Sequence, residues 1–252
     1  ENNAKITLGN SSDANNPNVG MFTDKSQITL KNTGTIAAGD KTAAMYGYGI
    51  NTDASSDISV GSGATGIYSK GGNVHLRGKL ATGGNEAVGV YTVGAGQTIT
   101  NDATNVNIGD GSYGFVIKNA AGGNTFTSNT ANVSLGNNVV YAYSTDTTGT
   151  MTNNTKLNST GSENYGLYGA GIITNNADIN FGSGIGNVGI YSIKGGTATN
   201  TAGKTITIGA SNVSGQKYGI GMAAGYENSD TGKIINQGTI NVNGKNSIGM
   251  YA

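Results

Sequence analysis

The stretch YGLYGAGIITNNADINFG, from Tyr165 to Gly182, carries the pattern that decides the fold. Its glycines and asparagines favour turns and disfavour a helix. Between them lie three short apolar clusters, at Leu167, at Ile173 and at Phe181. This spacing predicts three short strands joined by tight turns within about one repeat of the chain.

Versions of this stretch recur along the whole chain. A triplet of glycine, an apolar residue and an aromatic residue marks each repeat, as in Gly166-Leu167-Tyr168. With its variants, the triplet places its third residue at positions 22, 46, 68, 91, 116, 141, 168, 191, 221 and 251, so successive copies lie 22 to 30 residues apart. Two further apolar pulses precede most triplets, and the earlier one often has the form apolar–x–Asn. Self-similarity at this period indicates a solenoid.

The repeat predicts an all-β fold, a right-handed parallel β-helix of about ten coils, each with 22–30 residues and three short strands. A leucine-rich repeat has a similar period, but its leucine framework is missing, and a propeller blade needs about 40 residues or more. The right hand follows from the crossover rule for parallel strands. Because the pattern already runs at both ends, we expect residues 1–252 to be a single β-helical segment of a longer chain.

Alternation along the strands predicts which side chains face the core. Ile108, Leu135, Phe181 and Ile208 should form one continuous inward column, because a slip of one residue would expose them all. The residue before each of these should face water. Those polar residues are Asn107, Ser134, Asn180 and Thr207.

Two polar columns are also expected. The asparagine of the apolar–x–Asn pulse should stack into a hydrogen-bonded ladder, although asparagine also tolerates the left-handed conformation of a corner. Tyrosines should stack into a second column, half-buried at a corner or exposed as an outward stripe, and we favour the half-buried arrangement. The tyrosines concerned are at positions 46, 68, 91, 141, 168, 191 and 251.

The triplets and their surroundings resemble a known family. The segments KNTGTIAAGDKTAAMY from Lys31 and NQGTINVNGKNSIGMY from Asn236 are similar to repeats of large fusobacterial autotransporter adhesins of the RadD type. In that family, N-x-G-x-I and G-[IM]-Y recur through a long β-helical passenger domain. The resemblance covers the whole chain and implies type V secretion and display at the outer membrane and cell surface. It also implies attachment to host cells or other bacteria through a surface protein or glycan, but it transfers no functional residue position by position.

Composition narrows the classes of partner. The chain has 14 basic and 14 acidic residues, a formal net charge of zero and a single arginine, whereas nucleic-acid binding needs an excess of cations. No apolar run approaches the roughly 20 residues of a membrane-spanning helix, so we expect no membrane insertion by this segment. With one histidine and no cysteine, we expect no metal site, and no motif indicates a cofactor. The expected form is a monomeric rod.

An enzyme on the same fold is the main alternative. β-helical carbohydrate-active enzymes and phage tailspikes would need clustered carboxylates, or carboxylates beside lysine and arginine, on the outward positions of adjacent coils. Here the repeated outward positions hold threonine, serine and asparagine, which favours a non-catalytic protein. A two-partner-secreted filament would share the fold and stays open as a third interpretation.

One candidate contact surface is a small basic patch. His75 and Arg77 should both point outward from the strand VHLR, with Lys70 and Lys79 nearby. Such a patch suits an acidic glycan or an acidic protein. A solvated strand face is the simpler explanation.

The other candidates are insertions, because a solenoid accepts extra residues only at its corners. Gly9–Asn18 lengthens the first repeat, while Gly209–Lys217 and Met222–Gly232 lengthen the region around one triplet. The last two should leave neighbouring corners of the same coil, where Tyr226 would offer an aromatic anchor. Drift in a tolerant loop is the alternative. The candidate partner-binding residues here are Lys217, Tyr226, Glu227 and Asp230.

Overall fold

A computed structural model describes residues 1–252, which form 29 short strands and no helix. In chain order the strands are β1 (Lys5–Leu8), β2 (Val19–Phe22), β3 (Thr29–Asn32), β4 (Thr35–Ala38), β5 (Ala43–Gly47), β6 (Gly49–Thr52), β7 (Asp57–Val60), β8 (Thr65–Ser69), β9 (Val74–Leu76), β10 (Lys79–Thr82), β11 (Val88–Thr92), β12 (Thr98–Asn101), β13 (Asn105–Ile108), β14 (Tyr113–Ile117), β15 (Thr125–Ser128), β16 (Val133–Leu135), β17 (Val140–Ser144), β18 (Thr150–Asn153), β19 (Leu157–Asn158), β20 (Tyr165–Gly169), β21 (Ile172–Asn175), β22 (Ile179–Ile185), β23 (Val188–Ser192), β24 (Thr197–Asn200), β25 (Thr205–Ala210), β26 (Ile220–Ala224), β27 (Lys233–Asn236), β28 (Thr239–Val242) and β29 (Ile248–Tyr251).

The strands stack in parallel into the three sides of a β-helix. One side is a ten-stranded sheet, the tyrosine sheet, in the order β2-β5-β8-β11-β14-β17-β20-β23-β26-β29. The second side is the nine-stranded asparagine sheet, β3-β6-β9-β12-β15-β18-β21-β24-β27. The third side, the split sheet, consists of a six-stranded part, β1-β4-β7-β10-β13-β16, and a four-stranded part, β19-β22-β25-β28. The predicted parallel β-helix is thereby confirmed, with about nine complete turns.

The predicted alternation along the split sheet is confirmed. Ile108, Leu135, Phe181 and Ile208 are buried in the core. The column is interrupted, however, at Ser159, which lies one coil before Phe181 and so takes the position of a core residue. Its hydroxyl donates to the Leu135 carbonyl at 3.1 Å, which satisfies a polar group that the core would otherwise leave unpaired. The prediction of a continuous column was wrong at this coil. The polar residues expected outside are exposed or half-exposed, namely Asn107, Ser134, Asn180 and Thr207.

The asparagine ladder is confirmed in the asparagine sheet. Asn153 donates its side-chain amide to the Asn175 amide oxygen, Asn175 donates to Asn200, and Asn200 donates to Asn236, each at 2.9 Å. Asn175 also donates to the Ala177 carbonyl of its own corner at 2.6 Å. The ladder therefore joins four successive coils and holds the turn after each of their strands. In earlier coils the equivalent position is held by Thr52, Leu76 and Ser128. Asn32 and Asn101 therefore do not belong to this ladder.

The tyrosine column lies on the outer face of the tyrosine sheet and is half-buried, and two of its members differ from prediction. Tyr143, not Tyr141, aligns with the tyrosine of the next coil. Tyr141 is fully buried, with its hydroxyl 2.6 Å from Ser128 Oγ. Likewise, the ninth triplet ends at Ala223, which aligns with Tyr191. Both errors are slips of two residues. Tyr141 takes the position of the triplet's opening glycine, and it faces the core together with Ala142, so strict alternation fails at this point of the strand.

Glycine opens most triplets because neighbouring backbones approach closely there. A Cβ atom added at Gly89 would lie 2.6 Å from the Gly114 carbonyl oxygen of the next coil. Real Cβ atoms do not come so near to a backbone oxygen, so a larger residue would push the two coils apart.

Asp146 is a buried carboxylate at the corner after β17. It accepts hydrogen bonds from the backbone N–H groups of Gly122 at 2.9 Å, Asn124 at 2.8 Å and Thr148 at 3.1 Å. Burial alone would raise the pKa of Asp146, but these bonds favour the ionised form and hold its pKa below the ordinary value of 3.8. The ionised side chain thus fixes the corner of the preceding coil.

Candidate functional site

Two loops flank strand β26, as the insertions predicted. The entry loop, residues 211–219, joins β25 to β26, and the exit loop, residues 225–232, joins β26 to β27. The predicted bounds were too wide, because Gly209 and Ala210 still belong to β25 and residues 222–224 belong to β26. The two loops therefore lie at the two ends of one strand of the tyrosine sheet, β26.

Asp230 anchors the exit loop. Its carboxylate accepts backbone N–H groups from Lys194 at 2.7 Å and Gly195 at 2.9 Å in the preceding coil. It also accepts those of Tyr226 at 3.1 Å and Gly232 at 2.9 Å within the loop. Desolvation opposes ionisation, but these four bonds outweigh it and lower the pKa of Asp230. The carboxylate positions the loop and has little capacity left for a partner.

A first cavity of about 560 Å³ lies between the exit loop and the tyrosine column. Tyr143 and Tyr168 line it from the column, and Tyr226 and Glu227 line it from the loop. Tyr226 is 67% exposed, so most of its ring is available to a ligand. Glu227 is also exposed, and its carboxylate has no hydrogen-bond partner within the chain. Burial and the neighbouring tyrosines raise the pKa of Tyr168, so its hydroxyl remains neutral.

The entry loop is held by its own ends and by an ion pair. Asn212 and Lys217 exchange backbone hydrogen bonds of 2.8 and 2.9 Å, which close the loop. The Lys217 ammonium lies 2.8 Å from the Glu163 carboxylate two coils earlier. Its hydrogen bond to Glu163 and the charge of that carboxylate raise the pKa of Lys217. Lys217 is consequently paired with Glu163 and presents no free cation.

A second cavity, of about 270 Å³, lies under the entry loop. Ala223 and Ile220 line it from β26, while Tyr191, Tyr218 and Tyr251 contribute aromatic rings. The Glu163–Lys217 pair also lines it. The cavity thus combines apolar and aromatic surface with charges that are already paired.

The basic patch is outward-facing, as predicted, but it includes an acid. His75 Nε2 lies 2.6 Å from Asp102 Oδ2, and Arg77 Nη2 lies 2.8 Å from His75 Nδ1. Because arginine can only donate, Nδ1 accepts and the ring donates from Nε2 to Asp102. Asn129 donates to the other carboxylate oxygen at 2.8 Å. Asp102, which lies one coil later, was not predicted to belong to this patch. Its negative charge makes the surface less favourable for an acidic ligand.

The remaining chemistry is sparse. No group of three or more histidine, cysteine, aspartate or glutamate side chains is placed to hold a metal ion, and no helix could cross a membrane. Comparison with protein-family models, curated proteins and solved structures gives no match to this chain. The site must therefore be interpreted from its own geometry.

Of the candidate residues, Tyr226 and Glu227 line the first cavity, and Asp230 holds the loop that bounds it. Lys217 lies at the second cavity, on the other end of the same strand. His75 and Arg77 belong to the asparagine sheet and the turn after it, and they line neither cavity. The main residues that the sequence did not assign to the site were Tyr143 and other tyrosines of the column. Their positions next to core residues in the repeat were the signal that could have identified them.

Proposed function

We propose that this chain is a non-catalytic binding segment of an exported bacterial surface adhesin, which attaches to a protein or glycan on host cells or other bacteria. The stacked coils serve as a stiff rod, and the first cavity serves as its contact site. Extracellular display at the outer membrane and monomeric action belong to the same proposal. Its family basis is the similarity of the G-[IM]-Y repeats to autotransporter passengers.

The observation that carries the proposal is the exit loop. It departs from a regular repeat, and the carboxylate of Asp230 fixes it to the preceding coil with four hydrogen bonds. Held in this way, it presents Tyr226 beside a cavity of about 560 Å³. Binding residues are commonly found on loops that a rigid scaffold positions, and exposed tyrosines are frequent anchors of interfaces.

Replacement of the exit loop tests this proposal. The preceding coil makes the same connection with only Ile193-Lys194-Gly195-Gly196, so residues 225–232 can be exchanged for that four-residue turn. The rod should stay folded, because loop length affects stability weakly. Attachment of the purified chain to bacterial and host cells should fall about tenfold or more, which corresponds to the loss of about 1.4 kcal/mol.

A matched control shortens the Gly9–Asn18 insertion, which lies at the opposite end of the chain. Attachment should be unchanged in that variant. Circular dichroism and thermal unfolding establish that both variants are folded. If a folded exit-loop variant attaches as well as the wild type, this loop is not the contact site.

An enzymatic alternative rests on Glu227, a free carboxylate in the first cavity beside Asp230. Glycoside hydrolysis requires two carboxyl groups with separate roles, whereas Asp230 here accepts four backbone hydrogen bonds. An assay for new reducing ends from bound glycans distinguishes the two. Turnover that disappears in Glu227→Gln would replace the adhesin proposal with a hydrolase.

A further inference from the structure

The tyrosine column has two interruptions. Within a run, the rings stack on each other at centroid distances of 4.6 Å for Tyr46–Tyr68 and 5.0 Å for Tyr168–Tyr191. The ring planes are nearly parallel, at 8° and 10°, so neighbouring tyrosines cover each other's faces and leave mainly edges exposed. Ring faces are therefore free mainly where the column lacks an aromatic residue, at its ends, and beside the tilted pair Tyr143–Tyr168, whose planes differ by 49°.

The two interruptions are at Val116 and Ala223. Ala223 aligns with Tyr191 in the preceding coil and Tyr251 in the following coil. At about 4.8 Å per coil, the two tyrosines are about 10 Å apart along the column. This separation leaves room for one further ring at stacking distance from both, since stacked rings lie about 4.5–7 Å apart.

The two interruptions differ in what surrounds them. At Val116 the larger side chain occupies part of the missing position between Tyr91 and Tyr143, and Val116 lines neither the first nor the second cavity. At Ala223 only a methyl group is present, and this residue lines the second cavity of about 270 Å³ beneath the entry loop. Cavity and interruption coincide at Ala223.

We propose that the second cavity is a subsite for one pyranose ring of a neutral glycan, which stacks where the column lacks a tyrosine. The proposal rests on the adhesin function and deepens it, because it assigns a ligand class to the same strand. Tyr191 and Tyr251 provide ring faces for the apolar side of the sugar, and Tyr218 and Gln216 provide polar groups for its hydroxyls.

The charges at the cavity favour a neutral ligand. Lys217 and Glu163 lie 2.8 Å apart in an ion pair whose side chains are 50% and 40% exposed, so their charges balance locally at the rim of the cavity. An acidic sugar would have to compete with Glu163 for the ammonium group, and a basic ligand would have to compete with Lys217 for the carboxylate. A neutral ring avoids this competition, which is modest because the ion pair is half-exposed to water.

The backbone favours a sugar over an extended peptide. A peptide strand gains most of its affinity by hydrogen bonding to a free sheet edge. Strand β26 lies between β23 and β29, so its ladder groups are already paired on both sides. What the outer face offers is ring surface and side-chain polar groups, the combination that recognises a hydroxylated ring.

Completing the column provides the test. Ala223→Tyr introduces the residue that the repeat itself uses at this position, and its ring should fill the subsite. Val116→Tyr completes the other interruption and is the matched control. The probes are neutral glycans on an array. Each glycan that binds is then titrated against the protein, and binding is followed by tyrosine fluorescence, since the chain has 13 tyrosines and no tryptophan.

We expect wild type and Val116→Tyr to bind a neutral glycan equally within about twofold, and Ala223→Tyr to bind it at least tenfold more weakly. A folded Ala223→Tyr with unchanged affinity would overturn the proposal, as would an array on which no neutral glycan binds. Binding of peptides in place of glycans would also overturn it. If Ala223→Tyr does not fold, Tyr218→Ala is the second variant. It removes one wall of the cavity without introducing a larger side chain, and it should weaken glycan binding at least fivefold.

The two proposals fail separately in this design. If exchange of the exit loop abolishes attachment while Ala223→Tyr binds glycans normally, only the subsite is rejected. If Ala223→Tyr loses glycan binding while exchange of the exit loop leaves cell attachment intact, only the exit-loop contact site is rejected.

Discussion

Removing one amide from the asparagine ladder should destabilise the rod far more than removing its neighbour. Asn175 is fully buried and makes three hydrogen bonds, to Asn153 and Asn200 at 2.9 Å and to Ala177 at 2.6 Å. At about 1 kcal/mol net for each, their loss in Asn175→Ala costs about 3 kcal/mol. The partners left buried without a bond raise the total to about 3–5 kcal/mol.

The adjacent residue supplies the control. Asn176 points outward and makes one side-chain hydrogen bond, to Asn154 at 3.0 Å, on the exposed side of the corner. Asn176→Ala therefore has the same chemistry and nearly the same sequence position. It should cost about 0.5 kcal/mol, the usual size for a surface change.

Two measurements report the difference. Urea unfolding followed by tyrosine fluorescence gives the change in the free energy of unfolding for each variant. Amide hydrogen exchange then locates it, because each coil of a solenoid contacts only its neighbours. In Asn175→Ala, strands β18, β21 and β24 should lose protection first. Equal destabilisation by the two variants, or loss of protection spread evenly along the rod, would refute the reasoning.

Two further predictions concern other parts of the rod. Because the folded pKa of Asp146 lies below 3.8, its stabilising contribution is fully present above that pH and is lost as pH falls through the folded value. In Asp146→Asn, stability should therefore fall less steeply between pH 3.8 and lower pH than in the wild type. Acid unfolding curves of equal steepness and midpoint for the two proteins would contradict the role of the carboxylate. Gly89→Ala should lower the unfolding temperature, because its Cβ would lie 2.6 Å from the Gly114 carbonyl. Gly9→Ala, where nothing lies within 4 Å, should leave that temperature unchanged.

The fold was predictable because one local rule is applied in every coil. Alternation of Val106, Asn107 and Ile108 places two side chains inside and one outside, and the stacked strands repeat this choice. The asparagine ladder follows from the same register, since a residue that recurs once per coil must lie above its own copy. Prediction of the fold therefore needed only the repeat length and the alternation of inward and outward side chains.

The errors occur where this rule breaks. Tyr141 and Ala142 are adjacent but both face the core, so Tyr141 and Tyr143 lie on opposite faces although they are two residues apart. The Tyr141 hydroxyl lies 2.6 Å from Ser128 Oγ inside the core. The interruption at Ala223 was concealed because Gly219-Ile220-Gly221 imitates a triplet two residues earlier. Strict alternation does not include this local irregularity of the strand, so it assigned the wrong residue to the column.

The site itself depends on contacts between distant residues, which a repeat pattern does not encode. Asp230 holds Lys194 and Gly195 across 36 and 35 residues of sequence. Asp102 accepts a hydrogen bond from His75 across 27 residues. The insertions indicated where the repeat fails, but the shape of each loop follows from individual side chains that find partners in another coil.

The break in the split sheet has a mechanical consequence. Between β16 and β19 the hydrogen-bonded ladder is missing. The coil of β15–β17 and the coil of β18–β20 are therefore joined by two ladders, where other neighbouring coils have three. A tensile load along the rod axis passes through every junction in series, as in a chain of links. The junction with two ladders therefore sets the tensile strength of the whole segment, and it divides the rod into a longer and a shorter piece that can yield separately under shear.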